Sequence, residues 1–436
     1  MKLTWAFLLL LGLLPATVAE AASLRYARDL NLITIEQGDG ITLSTLKAAL
    51  PQAPLQLVDR ERRVWLLSAS VLLTNGSTLR LHGRKAGGDV DELRLRSDNS
   101  RKPGSVVSLT ADHGAFDIRA TRITSWDTAA NGPDTEYETY GRAFIRARSR
   151  MRSMLLIPLQ SRMDVVDSEI AYLGYHANES YGLVWKVVAP DPVVFDYVRV
   201  HGNVTRSNIH HNYFGLYAAG ARASEWRSNH VHHNVSYGLA PHTRSDDLLI
   251  EDNDVHDNGH HGITVRQRCA RVVIRNNRVW ANRETGITLH SGSNGGLVAN
   301  NRVFRNGDAG ITVYGSAGVT VRANTVRDNA HIGVQIAMGA TDNRVEDNEV
   351  RGNGFYGLFV GKGRGRPPVG SDGKPRRNQI AGNRIYDSGA QNLRAGDPAL
   401  NSWVGNVVTA PVPAPMPASA TIKDTAAALK PLSPAP

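Results

Sequence analysis

The chain has 436 residues, with 50 Lys and Arg against 40 Asp and Glu, a formal charge of +10. That balance favours a polyanionic partner, either nucleic acid or an acidic polysaccharide. A single cysteine, Cys269, excludes an intrachain disulfide framework.

The chain opens with "MKLTWAFLLLLGLLPATVAEAAS", which has Lys2, an apolar stretch from Trp5 to Leu14, and small residues at Ala19 and Ala21. It reads as a signal peptide over residues 1–21. The apolar stretch is too short to span a membrane, and no other segment is long enough. Export to a periplasm is expected, which argues against nucleic acid as the partner. Residues 22–60, including "TLSTLKAALP", are expected to cap the first coil, whose sheet edge would otherwise be open. The next region has short β-rich runs such as "MDVVDSEIAYLG" on a loose period.

The middle of the chain repeats Asn-x-Val-x-x-Asn-x-x-x-Gly-Ile, as in "NDVHDNGHHGI", "NRVWANRETGI" and "NRVFRNGDAGI". The second Asn recurs at Asn212, Asn234, Asn258, Asn282, Asn306, Asn329 and Asn353, spacings of 22 to 24 residues. So constant a period signals a solenoid. Each unit is too short for a sizeable helix, and Val, Ile and Thr dominate its runs. The fold class expected is all-β, a right-handed parallel β-helix over residues 61–406.

The repeated Asn is read as structural, its amides hydrogen-bonding from coil to coil. His210, His211, His232, His233 and His256 share the turn before it and are read as a second ladder. "EDNDVHDN" (Glu251–Asn258) offers carboxylates and a histidine, but in the ladder register, so no metal site is expected. "GKGRGRPPVGSDGKPRRN" (Gly361–Asn378) interrupts the period as a basic, mobile loop. Residues 407–436 form a Pro/Ala-rich tail read as disordered.

Side chains alternate along a strand. Five and seven residues past the second Asn, Ile263 and Val265, Ile287 and Leu289, and Ile311 and Val313 point into the core. The alternate positions, including Thr264 and Thr288, then face outward. The last outward position of successive coils carries His242, Arg266, His290 and Tyr314. Aligning "SYGLVWK" with "SYGLAPH" adds Lys186 to this column, and Arg244 and Arg268 lie alongside. No carboxylate occupies these positions, so the column suits a linear polyanion. Pro241, before His242, takes a core-facing place and removes a ladder N–H. A local distortion that aims His242 is the expected reason.

"SYGLAPHTRS" (Ser236–Ser245), with "TSWDTAANGP" (Thr124–Pro133) and "HHGITVRQR", resembles the periplasmic mannuronan C5-epimerases of alginate biosynthesis, whose motif reads Asp-Pro-His-Asp-Arg. The resemblance implies an isomerase without cofactor, acting on polymannuronate or alginate, with a polymer-export complex as a candidate partner. It makes His242 the base, Arg266 or Arg268 the cation on the substrate carboxylate, and Arg244 the motif arginine. Lys186, His290, Tyr314, Thr264 and Thr288 would bind substrate. Ala240 and Thr243 stand where the motif has Asp. The chemistry agrees: removing a C5 proton α to a carboxylate needs a base and a cation. The same pair would serve a polyuronate lyase, and a non-catalytic polysaccharide-binding export homologue is the third reading.

Overall fold

The computed structural model describes residues 22–99, 106–152, 157–189, 191–363, 367 and 369–409. The expected signal peptide and nearly all of the expected tail lie outside the described residues, as does part of the basic loop. The described strands stack into three long sheets, two of 15 strands and one of 13. Coil pairs with coil in parallel along all three. This is a parallel β-helix, right-handed as parallel crossovers almost always are.

The first sheet opens with an antiparallel pair, Ser23–Ala27 against Leu32–Gln37, and Leu32–Gln37 then pairs in parallel with Ser70–Leu73. The coils therefore start inside the region expected to be cap. Within that region a helix, Leu43–Ala49, is N-capped by Thr42, whose hydroxyl accepts from Thr45 N–H at 3.2 Å. It buries Leu43 and Leu46 against the core. At the other end, Val407–Val408 still pairs with Arg384 and Ile385. The coils thus run past residue 406, where the tail was expected to start.

The interior is a continuous apolar stack. Ile263, Val265, Ile287, Leu289, Ile311 and Val313 are buried within it, as alternation requires. Asn ladders run along the corners. Asn234, Asn258, Asn282 and Asn306 each donate from Nδ2 to the next coil's Asn Oδ1 at 2.9–3.0 Å. A second ladder uses the first Asn of the repeat, from Asn253 through Asn277 and Asn301 to Asn324. The left-handed residue of each turn is not the ladder Asn but the one before it: His233, Asp257, Ala281 and Arg305 all have φ of 51–54°. The repeat glycine is set by close approach instead. A Cβ on Gly262 would lie 2.7 Å from Asn282 Nδ2 and 2.8 Å from the Gly286 carbonyl oxygen.

The expected histidine ladder is present: His210, His232 and His256 stack at centroid distances of 5.0 and 5.2 Å. Trp280 continues it, 4.3 Å from His256. The interrupted coil spans 35 residues from Asn348 to Asn383, both in the first-Asn ladder.

Candidate active site

Strand register builds the outward column on the first sheet. Lys186 pairs with Ala219, Ala219 with His242, His242 with Arg266, Arg266 with His290, and His290 with Tyr314. Neighbouring strands in a sheet are about 4.8 Å apart, so these groups form one continuous row. At Pro241 the ladder to the next coil is interrupted: Leu239 pairs with Ile263 and His242 with Arg266, but the two residues between have no such pairing. The interruption leaves the register of His242 unchanged, so the proline does not re-aim the histidine by a shift.

The orientation of His242 comes from its neighbour. Its Nδ1 lies 2.6 Å from the Thr243 hydroxyl, which donates to Gln267 Oε1 at 2.9 Å. A hydroxyl that donates onward accepts from behind, so Nδ1 carries the proton and Nε2 the lone pair. The Tyr217 ring packs 5.7 Å from the imidazole. Burial, then Arg266, His290 and Lys186, push the His242 pKa down to about 3. The imidazole is therefore neutral and free to accept a proton.

Arg266 is the unanswered charge. It makes no ion pair among the described residues, and its Nε is buried without a hydrogen-bond partner. The other cations differ. Arg244 is held by Asp196 at 2.9 Å. Lys186 is 3.2 Å from Glu179, which Arg146 and Arg148 also approach, at 3.4 and 3.1 Å. Arg268 is exposed in the left-handed turn beyond the strand. Register and pairing thus single out Arg266 beside His242.

His290 donates to or accepts from Ser291 Oγ at 2.9 Å, and burial followed by Arg266 lowers its pKa to about 4. The Tyr314 hydroxyl donates to Gln335 Oε1 at 2.6 Å, and burial raises its pKa. Thr264 and Thr288 face outward but are only 1 % and 3 % exposed. They form the floor beneath the column. Thr288 is hydrogen-bonded by Thr312, whereas the Thr264 hydroxyl, opposite the small Ala240, has no partner among the described residues.

A cleft of about 990 Å³ lies beside the column, lined by Thr243, Arg244, His261, Arg268, His290 and Tyr314 among others; His242, Arg266 and Lys186 are not part of its lining. His261 was missed in the sequence. Its Nδ1 accepts from Thr285 N–H at 3.2 Å, although Glu284 also lies 3.2 Å away. The buried N–H has the greater need of that lone pair, since the half-exposed carboxylate reaches water. Burial pushes the His261 pKa down to about 3. Tyr237 stacks on His261 at 5.5 Å and hydrogen-bonds Arg266. A usable signal existed: Tyr181, Tyr237 and His261 each immediately precede a repeat glycine.

A family described as periplasmic copper-binding protein (NosD) matches residues 187–353 and 267–409, together half of the chain. Mannuronan C5-epimerase of Pseudomonas aeruginosa is 27 % identical over 218 residues, 50 % of this chain and 36 % of that protein. Mannuronan C5-epimerase AlgG of Azotobacter vinelandii is 25 % identical over 218 residues, 50 % of this chain and 37 % of that one. These matches thus span little more than a third of the relatives' own length. The crystal structure of the periplasmic alginate epimerase AlgG superposes with a TM-score of 0.74 at 21 % identity, covering 87 % of this chain and 85 % of that one. The A-module of the Azotobacter vinelandii epimerase AlgE4 gives 0.55 at 16 %, covering 78 % and 90 %. The chain belongs to the family described as periplasmic copper-binding protein (NosD) and is a relative of the periplasmic mannuronan C5-epimerases.

Proposed function

We propose that the protein is an exported polymer-level C5-epimerase that converts mannuronate to guluronate within alginate. The observation that carries this reading is a neutral imidazole with a free Nε2, His242, in strand register with Arg266, a cation without a carboxylate partner among the described residues.

In the proposed reaction the uronate carboxylate seats on Arg266, replacing the missing counter-ion. Guanidinium suits it through paired N–H donors. His242 Nε2 takes the C5 proton, and the negative charge moves onto the carboxylate, where Arg266 stabilises it. Thr243 and Gln267 hold the Nδ1 proton, so Thr243 performs the orienting role that a carboxylate would perform at its position. Return of a proton to the opposite face inverts C5. The Tyr314 hydroxyl proton is committed to Gln335, so solvent in the open cleft is the donor of this proposal. Lys186, His290 and Arg268 guide the chain along the row. Arg244 acts through Asp196, positioning the cleft wall.

Copper appears in the family's description. Its imidazole and carboxylate donors would be found on another sheet, at His230, Asp254 and His256.

Incubation of the protein with polymannuronate in deuterated water tests the reading by proton NMR. Guluronate signals with deuterium at C5 are expected. Unsaturated chain ends would make it a lyase, and unchanged polymer would make it a binding protein.

A further inference from the structure

A group of titratable side chains outside the column lies on the outer face of the second sheet. His230 and His232 project from one strand, Asp254 and His256 from the next, and Arg278 and Trp280 from the third, in register. Nitrogen and oxygen atoms of His230, Asp254 and His256 all lie within 4.8 Å of one another.

His256 is the pivot. Its Nδ1 is 2.6 Å from Asp257 Oδ2, so that nitrogen carries the proton and Nε2 the lone pair. This Nε2 sits 2.6 Å from His230 Nε2. A carboxylate behind one imidazole nitrogen, with the other aimed outward, is the arrangement that orients metal-ligating histidines. Asp254 is also held: its Oδ1 accepts from Trp280 Nε1 at 2.7 Å, and its Oδ2 accepts from the Arg278 guanidinium at 3.5 Å, a pairing the ion would have to displace. The stacked His232 is different, because Asn208 and His233 occupy its two nitrogens at 2.9 and 2.8 Å. Stacking alone explains the column of rings, but not two outward Nε2 atoms converging beside a fixed carboxylate.

We propose that His230, Asp254 and His256 form a binding site for one divalent transition-metal ion, with Asp257 orienting His256. The ion replaces the proton shared between the two Nε2 atoms, and water completes its coordination. Two imidazoles and a carboxylate suit Cu(II) and Zn(II), with Cu(II) the tighter by the general affinity order, and do not suit Ca(II) or Mg(II). A second grouping, His233, His256 and Asp257, shares His256. It would need the Nδ1 already engaged by Asp257, so the Nε2 side is the site.

The test is calorimetric titration of the tag-free chain with Cu(II) and, separately, Zn(II), with the Cu(II) complex read by electron paramagnetic resonance. One ion per chain and hyperfine splitting from two nitrogens are expected. His230→Asn and His256→Asn should each weaken binding by more than ~100-fold, and Asp257→Asn by about 10-fold or more. His211→Asn, in the same histidine stack, should leave it unchanged, with circular dichroism confirming the fold of each variant. No stoichiometric binding by the wild type, or affinity that survives both His230→Asn and His256→Asn, would overturn the site. Loss with His233→Asn but not with His230→Asn would likewise overturn it. Because the readout is binding alone, the result is independent of whether the column on the first sheet is an epimerase.

Discussion

Two stacks run along this molecule on nearly the same period, and they differ in how completely their polar groups are satisfied. In the Asn corner ladder each amide donates to the next coil and its oxygen is filled in turn by donors from the coil before. In the column from Lys186 to Tyr314 the central members are left incomplete among the described residues: His242 keeps an open Nε2, and Arg266 has no carboxylate partner and a buried Nε without a hydrogen bond. A buried polar group without a partner costs about 1–3 kcal/mol, so a stack selected only for stability has reason to close. The contrast separates the stack that holds the coils together from the one that is built to receive a charged chain.

The sharpest way to break this comparison is to truncate one member of each stack. His242→Ala should lower polymannuronate turnover by on the order of 10²–10⁴-fold, the usual contribution of a positioned base, with little change in melting temperature. Arg266→Ala should lower kcat/KM by about 10–100-fold, the loss of charge-assisted hydrogen bonds, and Arg268→Ala by less. Equal losses in steady-state kinetics would erase the distinction drawn from register. Asn282→Ala should do the reverse, leaving the chemistry intact in folded protein while destabilising it by about 1–3 kcal/mol, because both neighbouring amides lose a partner. Thermal melts would show it.

A smaller effect concerns pH. The His242 pKa lies near 3, so the acid limb of kcat/KM should fall well below the ordinary histidine value of about 6.5. Thr243→Val should lower kcat several-fold by freeing the ring tautomer, and Thr243→Asp should restore it. The same shift has a stability sign. His242, His261 and His290 are all lowered, to about 3, 3 and 4. The unfolded chain therefore binds protons first, and stability should decline as pH drops below ~6.5 towards those values. A melting temperature flat from pH 7 to 4.5 would contradict their burial as neutral groups.

Much of this was legible in the residues. Period 24 and period 2 together place Ile263, Val265 and their equivalents inside and His242, Arg266, His290 and Tyr314 outside, and the register agrees. What was not legible depends on groups brought in from outside the repeat. Glu179, which approaches Lys186, and Asp196, which pairs with Arg244, lie on segments where the period is loose or absent. Thr264 and Thr288 are buried although alternation turns them outward, and a parity argument does not report burial. His261 precedes the strand and so falls outside an argument built on strand parity. Pro241 suggested a re-aimed strand, but the adjacent coils hold the register and the ladder simply lacks pairings there.

The account's central claim is that the incomplete column performs the chemistry through His242. Deuterium incorporation at C5 of polymannuronate, measured side by side for wild type and His242→Ala in deuterated water, tests it most directly. The account predicts incorporation with inversion in the wild type and none above background in His242→Ala, whose fold persists. Incorporation at the wild-type rate in His242→Ala would contradict it.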